Sequence, residues 1–192
     1  MSTKIDIFNH VMPPAYLELV KTHSKEPGMV KRMSGLRMLW DIPHRVEMLR
    51  EKFPDVRQVL TLGLPAPELI GGPDKSPEFA RVANDGMAEM VNTWPQEFPA
   101  FIASLPMNNP PEAIKEMDRA IGQLGARGIQ IVSSVAGRPL DDPEFLPIFE
   151  RATNHHDVAI WMHPARPASR ADYPGEPKGA KKSFPPPRAM RS

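Results

Sequence analysis

The chain contains no cysteine among its 192 residues. Disulfides, thiolate nucleophiles and cysteine-ligated metals are therefore excluded together. It also lacks an excess of either charge: 24 Lys and Arg against 23 Asp and Glu leave a formal net charge of +1. No global field draws such a chain to nucleic acid or to an anionic membrane. Long apolar runs are missing as well. Nothing near Met1 resembles a signal peptide, and no stretch approaches the roughly 20 apolar residues of a membrane span. The expectation is a soluble, cytoplasmic protein with no nucleic-acid or membrane partner. Glycine-rich phosphate motifs are absent too. No G-x-G-x-x-G or P-loop stands at a strand-to-helix turn, so a nucleotide has no cradle and an ordinary doubly wound ligand-binding domain is the weaker α/β reading.

Proline, by contrast, is abundant, with 24 residues, and much of it punctuates a repeating pattern. Lys4-Ile5-Asp6-Ile7-Phe8 alternates and stops before Pro13-Pro14, as a short strand does, and a helix is expected from Pro14 through Val20. Residues 23–40 carry no readable period. Asp41 then fits an N-cap, with Pro43 in the first turn and Val46, Leu49 and Phe53 at helical spacing. Val56–Leu62 reads as a second strand. Ser76 is an expected cap for a helix lined by Phe79, Ala83, Met87 and Met90, and Ala100–Leu105 is the third strand. Asn109 and Glu112 stand at capping-box spacing, Gly125 stops the helix, and Gly128–Val132 is the fourth strand. Asp142 is expected to cap one more helix with Pro143 at its first position. The continuous apolar run from Val158 to Met162 forms a fifth strand ending at His163-Pro164.

Five strands alternating with helices, several of them almost wholly apolar, predict an α/β fold on a parallel sheet. Residues 1–173 form the expected domain. Residues 174–192, with Pro185-Pro186-Pro187 and scattered Lys and Arg, read as a disordered tail.

In parallel α/β folds, chemistry gathers at the C-terminal ends of strands. That rule selects His10 and His163. Alternation places Asp6, Phe8 and His10 on one face of the first strand, and Trp161 on the face of His163. Two neutral imidazoles from separate strands suit a divalent metal such as zinc, although a catalytic zinc usually takes three protein ligands. A single strand-end histidine is more often a hydrogen-bonded structural residue than a ligand. His155-His156, at a helix end, suits dipole capping. Arg166 follows His163 and can meet a substrate carboxylate or simply be solvated.

The run Ile5-Asp6-Ile7-Phe8-Asn9-His10-Val11-Met12-Pro13-Pro14, together with Trp40-Asp41, Gly125-Ala126-Arg127-Gly128-Ile129-Gln130-Ile131 and Pro139-Leu140-Asp141-Asp142-Pro143-Glu144-Phe145-Leu146, resembles the amidohydrolase-related family. That family includes aminocarboxymuconate-semialdehyde decarboxylase and the resorcylate-type decarboxylases. Trp161-Met162-His163-Pro164 follows where the family has its fifth strand. The resemblance implies a TIM-type (β/α)8 barrel of which about five βα units are present. It also implies one divalent metal, typically zinc, and decarboxylation or hydrolysis of a small aromatic or unsaturated carboxylic acid. Carried over residue by residue, His10 and His163 are metal ligands, and Phe8, Trp161 and Arg166 are expected to line the substrate site. Phe8 stands where the family has the first histidine of a His-x-His pair. The residues expected on strands six to eight are absent, as in a truncated or frame-shifted product. Such a half-open sheet is expected to self-associate as a homo-oligomer. The alternative is an inactive remnant or pseudoenzyme serving at most as an interaction module.

Overall fold

The computed structural model describes residues 3–164 apart from residue 136. Arg166 and the 174–192 segment lie outside the described residues. Every strand pairing is parallel and follows chain order, which is the expected α/β class. Strand β1 (Lys4–Val11) pairs with β2 (Val56–Leu62), and β2 with the two-residue β3 (Ala100–Phe101). A second sheet holds β4 (Ala103–Ser104), β5 (Gly128–Val132) and β6 (Ala159–His163).

The expected third strand is therefore split. Its first half pairs with β2 and its second with β5, and the changeover falls at Ile102. There the Ile102 amide donates back to Leu60 O at 2.8 Å, while the Phe101 carbonyl already accepts from Arg127 N at 3.0 Å. A twisting series of parallel strands turns its ladder at this point.

Helices cover one side of both sheets. Between β1 and β2 run α1 (Pro14–His23), α2 (Pro27–Gly35), α3 (Arg37–Trp40) and α4 (Ile42–Lys52). The second and third of these fill the connection for which the sequence shows no period. They are short, and only Met33 of the two is buried, so no apolar stripe announces them. Between β2 and β3 lie α5 (Pro67–Ile70) and α6 (Ser76–Thr93); α7 (Pro110–Gly122) leads to β5. The last connection is α8 (Leu146–Glu150), continued as a π-helical turn over Arg151–His155. Asp41 and Asn109 cap as expected, accepting from His44 N and Glu112 N. Gly125 takes the positive φ of 78° that ends the α7 region.

Two expected caps are not used. Ser76 lies inside its helix, and its hydroxyl donates to Asn108 Oδ1 at 2.5 Å. Asp142 precedes α8 by several residues; its carboxylate accepts from Glu144 N and pairs with Arg138 at 2.8 Å. A tight local turn there outcompetes helix initiation.

The apolar side chains divide into two cores. One packs α1, α4 and α6 on the outer face of the first sheet through Val11, Leu17, Leu49, Leu60, Leu62, Phe79 and Met87. The other packs α7 and α8 on β5 through Met117, Ile129, Ile131, Phe145 and Ile148. At the seam, Asn84 of α6 substitutes for a strand neighbour. Its Oδ1 accepts from Ser104 N and its Nδ2 donates to Ser104 O, both at 2.9 Å. The same Nδ2 also donates to Glu116 Oε1 at 2.7 Å, and Arg119 holds Glu116 on its other side at 2.8 Å.

Replacing Asn84 with the similarly sized Leu strands the buried amide and carbonyl of Ser104 at once, while Glu116 keeps its pairing with Arg119. The expected loss is about 3 kcal/mol of unfolding free energy, read as a lower urea midpoint with an unchanged m-value.

Candidate functional site

The polar groups that meet on the inner face of the sheets are placed there by an irregularity in β1. Pairing runs Asp6 to Gln58 and then Asn9 to Leu60, so one extra residue is inserted between them. The bulge is clamped from outside by Arg45 of α4, which is only 5 % exposed. Its guanidinium donates to Asn9 Oδ1 and to His10 O, each at 2.7 Å, to Gln58 Oε1 at 2.9 Å and to Met38 O at 3.1 Å. Gln58 in turn donates to Asp6 Oδ2. Asp6 thus belongs with Asn9 to the Arg45 side, and the expected single face of Asp6, Phe8 and His10 does not form. Strict alternation fails because the bulge shifts the parity of the strand.

Phe8 and His10 remain on the inner side and meet His163 from the far end of the series. The His10 and His163 ring centroids are 4.9 Å apart; Phe8 lies 5.4 Å from His10, edge-on, and 6.0 Å from His163, stacked. Thr61, the register partner of His10 on β2, has its hydroxyl 2.8 Å from His10 Nδ1. His163 Nδ1 lies 2.9 Å from the Pro164 carbonyl. Trp161 spans from β6 to β1, donating its indole N–H to Ile7 O at 2.8 Å. It lies against Gly128, where a Cβ would come within 2.8 Å of the Trp161 ring and 2.6 Å of Ala159 O. Beside it Gln130, 4 % exposed, donates to Leu62 O at 2.9 Å, while its Oε1 is buried with no hydrogen-bond partner among the described residues.

Burial, then the nearby His163 and Arg45, hold the His10 imidazole down at about 4, with Asp6 opposing weakly. His10 is accordingly neutral at pH 7, the form in which an imidazole can bind a cation. Among the described residues no group of three or more His, Cys, Asp or Glu is placed to hold a metal ion. The imidazoles of His10 and His163 are the two nitrogen donors that the inner face brings together.

Phe8, His10, Trp161 and His163 are thus brought together from sequence-distant strands, and Arg166 lies outside the described residues. Thr61 and Gln130 went unnoticed in the sequence because each sits in a run of apolar residues. A positional signal exists for Thr61, which falls near the C-terminal end of β2, whereas Gln130 stands in the middle of β5. His156 is bound to Asp118 at 2.7 Å, beside Arg151, and so has a structural partner.

A family model described as Amidohydrolase matches residues 5–184. The chain belongs to the amidohydrolase family. The Dictyostelium discoideum protein named 2-amino-3-carboxymuconate-6-semialdehyde decarboxylase is 34 % identical, over 85 % of this chain and 49 % of its own length. Among solved structures, a 2,6-dihydroxybenzoate decarboxylase complexed with 2,6-dihydroxybenzoate is 28 % identical with a TM-score of 0.70, covering 87 % of this chain and 52 % of that one. The Polaromonas sp. dihydroxybenzoic acid decarboxylase, with bound manganese and 2-nitroresorcinol, is 29 % identical with a TM-score of 0.70, over 87 % and 51 %. The chain spans about half the length of the curated relatives it matches.

One further acid of this amidohydrolase-family chain lies just past β2. Glu68 of α5 is buried, its Oε2 has no hydrogen-bond partner among the described residues, and burial pushes its carboxyl up from 4.5 to about 7. Tyr16, whose hydroxyl donates to Pro65 O at 2.8 Å, is its neighbour; burial and then Glu68 raise that phenol.

Since the folded state keeps the Glu68 proton up to about pH 7 and the unfolded chain releases it near 4.5, its contribution to stability is full below pH 4.5. It declines as pH rises through that window, by a total of about 3 kcal/mol. Glu68→Gln is expected to flatten this slope in urea unfolding between pH 5 and pH 8, by roughly that amount.

Proposed function

We propose that this chain carries two ligands of a divalent-metal centre, His10 and His163, in a decarboxylase for small aromatic or unsaturated carboxylic acids. The observation that carries the reading is the meeting of these two imidazoles from the first and last strands of a parallel series, with ring centroids 4.9 Å apart. The relatives' names support carboxy-lyase chemistry, and manganese is present in three of the similar solved structures. Imidazole donors suit zinc as well as manganese, so both ions belong in the assay.

The donor set fits a cation in part. Two imidazoles are in place, and Phe8 contributes no donor where a third is usual. A divalent ion bound there would draw in an anionic oxygen of the substrate and spread the charge that develops on loss of CO2. The chain's own residues do the rest. Phe8, 47 % exposed, offers a ring on which an aromatic substrate can stack. Trp161 has its N–H committed to Ile7 O, so it presents an apolar face and no donor. Together they exclude water from one side of a planar acid. Arg166 is assigned to the substrate carboxylate.

The same reading takes residues 1–173 as five consecutive βα units of a (β/α)8 barrel. Its support is the parallel, in-order pairing and the way side chains of β6 reach β1. Ile5 and Ile7, 59 % and 56 % exposed on the outermost strand, favour association of copies of this chain.

Elemental analysis after loading with manganese or zinc and gel filtration should return close to one ion per chain. His10→Ala and His163→Ala should each lose it, and Phe8→His should bind more tightly. Loaded protein should release CO2 from 2,6-dihydroxybenzoate or a related acid. A folded chain that binds neither ion would instead favour the inactive-remnant reading, for which Phe8 is the motivating residue.

A further inference from the structure

We infer that Thr61 is a positioning residue that fixes His10 in its Nδ1–H tautomer and leaves Nε2 as the bare nitrogen on the inner face. The argument is a count of protons. The Thr61 hydroxyl carries one hydrogen, and it stands within hydrogen-bond distance of both the Asn9 carbonyl and His10 Nδ1. A carbonyl can only accept, so the hydroxyl proton goes to Asn9 O. The contact with His10 must then be donated by the imidazole, which requires a hydrogen on Nδ1. A neutral imidazole has one such hydrogen, and Nε2 is left with its lone pair.

The acceptor that forces this choice is itself immobile. Asn9 is held by Arg45 through Oδ1 at 2.7 Å and donates through Nδ2 to Val59 O at 2.7 Å. Arg45 also takes up the carbonyl of His10, so the residue is fixed at its backbone and at its ring. Across the site, His163 reaches the same tautomer by another route, because its Nδ1 faces the Pro164 carbonyl, which also only accepts. In the neutral form both rings therefore carry their hydrogen on Nδ1 and leave Nε2 bare. This goes beyond the proposed function by assigning the residue that orients one of its ligands. The tautomer holds whether or not a metal binds, whereas the consequence for affinity rests on the metal reading.

The test is the two-bond 1H–15N spectrum of metal-free, 15N-histidine-labelled chain at pH 8, with the His10 signals among six histidines assigned by their loss in His10→Gln. The expected pattern has a pyrrole-type Nδ1 and a pyridine-type Nε2. Thr61→Val should return His10 towards the Nε2–H form that dominates in water, and Thr61→Ser should retain the wild-type pattern. In the metal arm, Thr61→Val should weaken manganese or zinc binding by about 10–100-fold with Thr61→Ser unaffected. An Nε2–H His10 in the wild-type chain would overturn the inference, and so would an unchanged tautomer in a folded Thr61→Val. The wild-type spectrum decides even if the valine variant does not fold. A correct tautomer with no metal bound by any form would count against the proposed function and leave the role of Thr61 standing.

Discussion

The guanidinium of Arg45 is buried, yet among the described residues it has no carboxylate at ion-pair distance. It is stabilised by geometry instead, through donation to two backbone carbonyls and to the side chains of Asn9 and Gln58. Burial lowers its pKa to about 10, with the more distant Asp6 opposing, so it remains a cation at neutral pH. A buried charge held only by dipoles tolerates little displacement, because each lost acceptor exposes the full desolvation cost. That constraint ties α4 to β1 and β2, keeps the extra residue of β1 in place, and sets which side chains face inward. Without it, the strand has no local reason to put His10 opposite His163.

The inner face that results differs from a closed hydrophobic core. Thr61, Gln130 and the two histidines are polar, Trp161 and Phe8 frame them, and the apolar packing is pushed to the outer, helix-covered side. Polar groups gathered on one side of a parallel series, with His10 and His163 towards the C-terminal strand ends, suit a binding site in an α/β fold. Rigid support comes from beside the seam at Ile102, where Asn84 satisfies the backbone N–H and C=O of Ser104.

Much of this order was legible in the chain. Apolar runs gave the five strand regions, and Asp41, Asn109 and Gly125 marked helix ends correctly because capping depends on local geometry alone. Signals failed where a tertiary partner intervened. Ser76 was captured by Asn108, Asp142 by Arg138 and its own turn, and residues 27–40 formed helices too short and too exposed to leave a period. The split of the third strand has no sequence signature, since it reflects which neighbour lies closer on each side of Ile102.

The site shows the same division. Sequence by itself determined that two histidines end the first and last strands and that Phe8 and Trp161 stand near them, because strand ends and alternation are properties of the local chain. It also carried the family, through runs of residues at the first strand, the fourth strand and the loop before α8. Only the tertiary structure decided that Asp6 leaves that face, that Thr61 and Gln130 join it, and that the two imidazoles meet. Those outcomes depend on a bulge held by an arginine 35 residues away from His10, and a contact between residues that distant is set by packing, which no local pattern encodes.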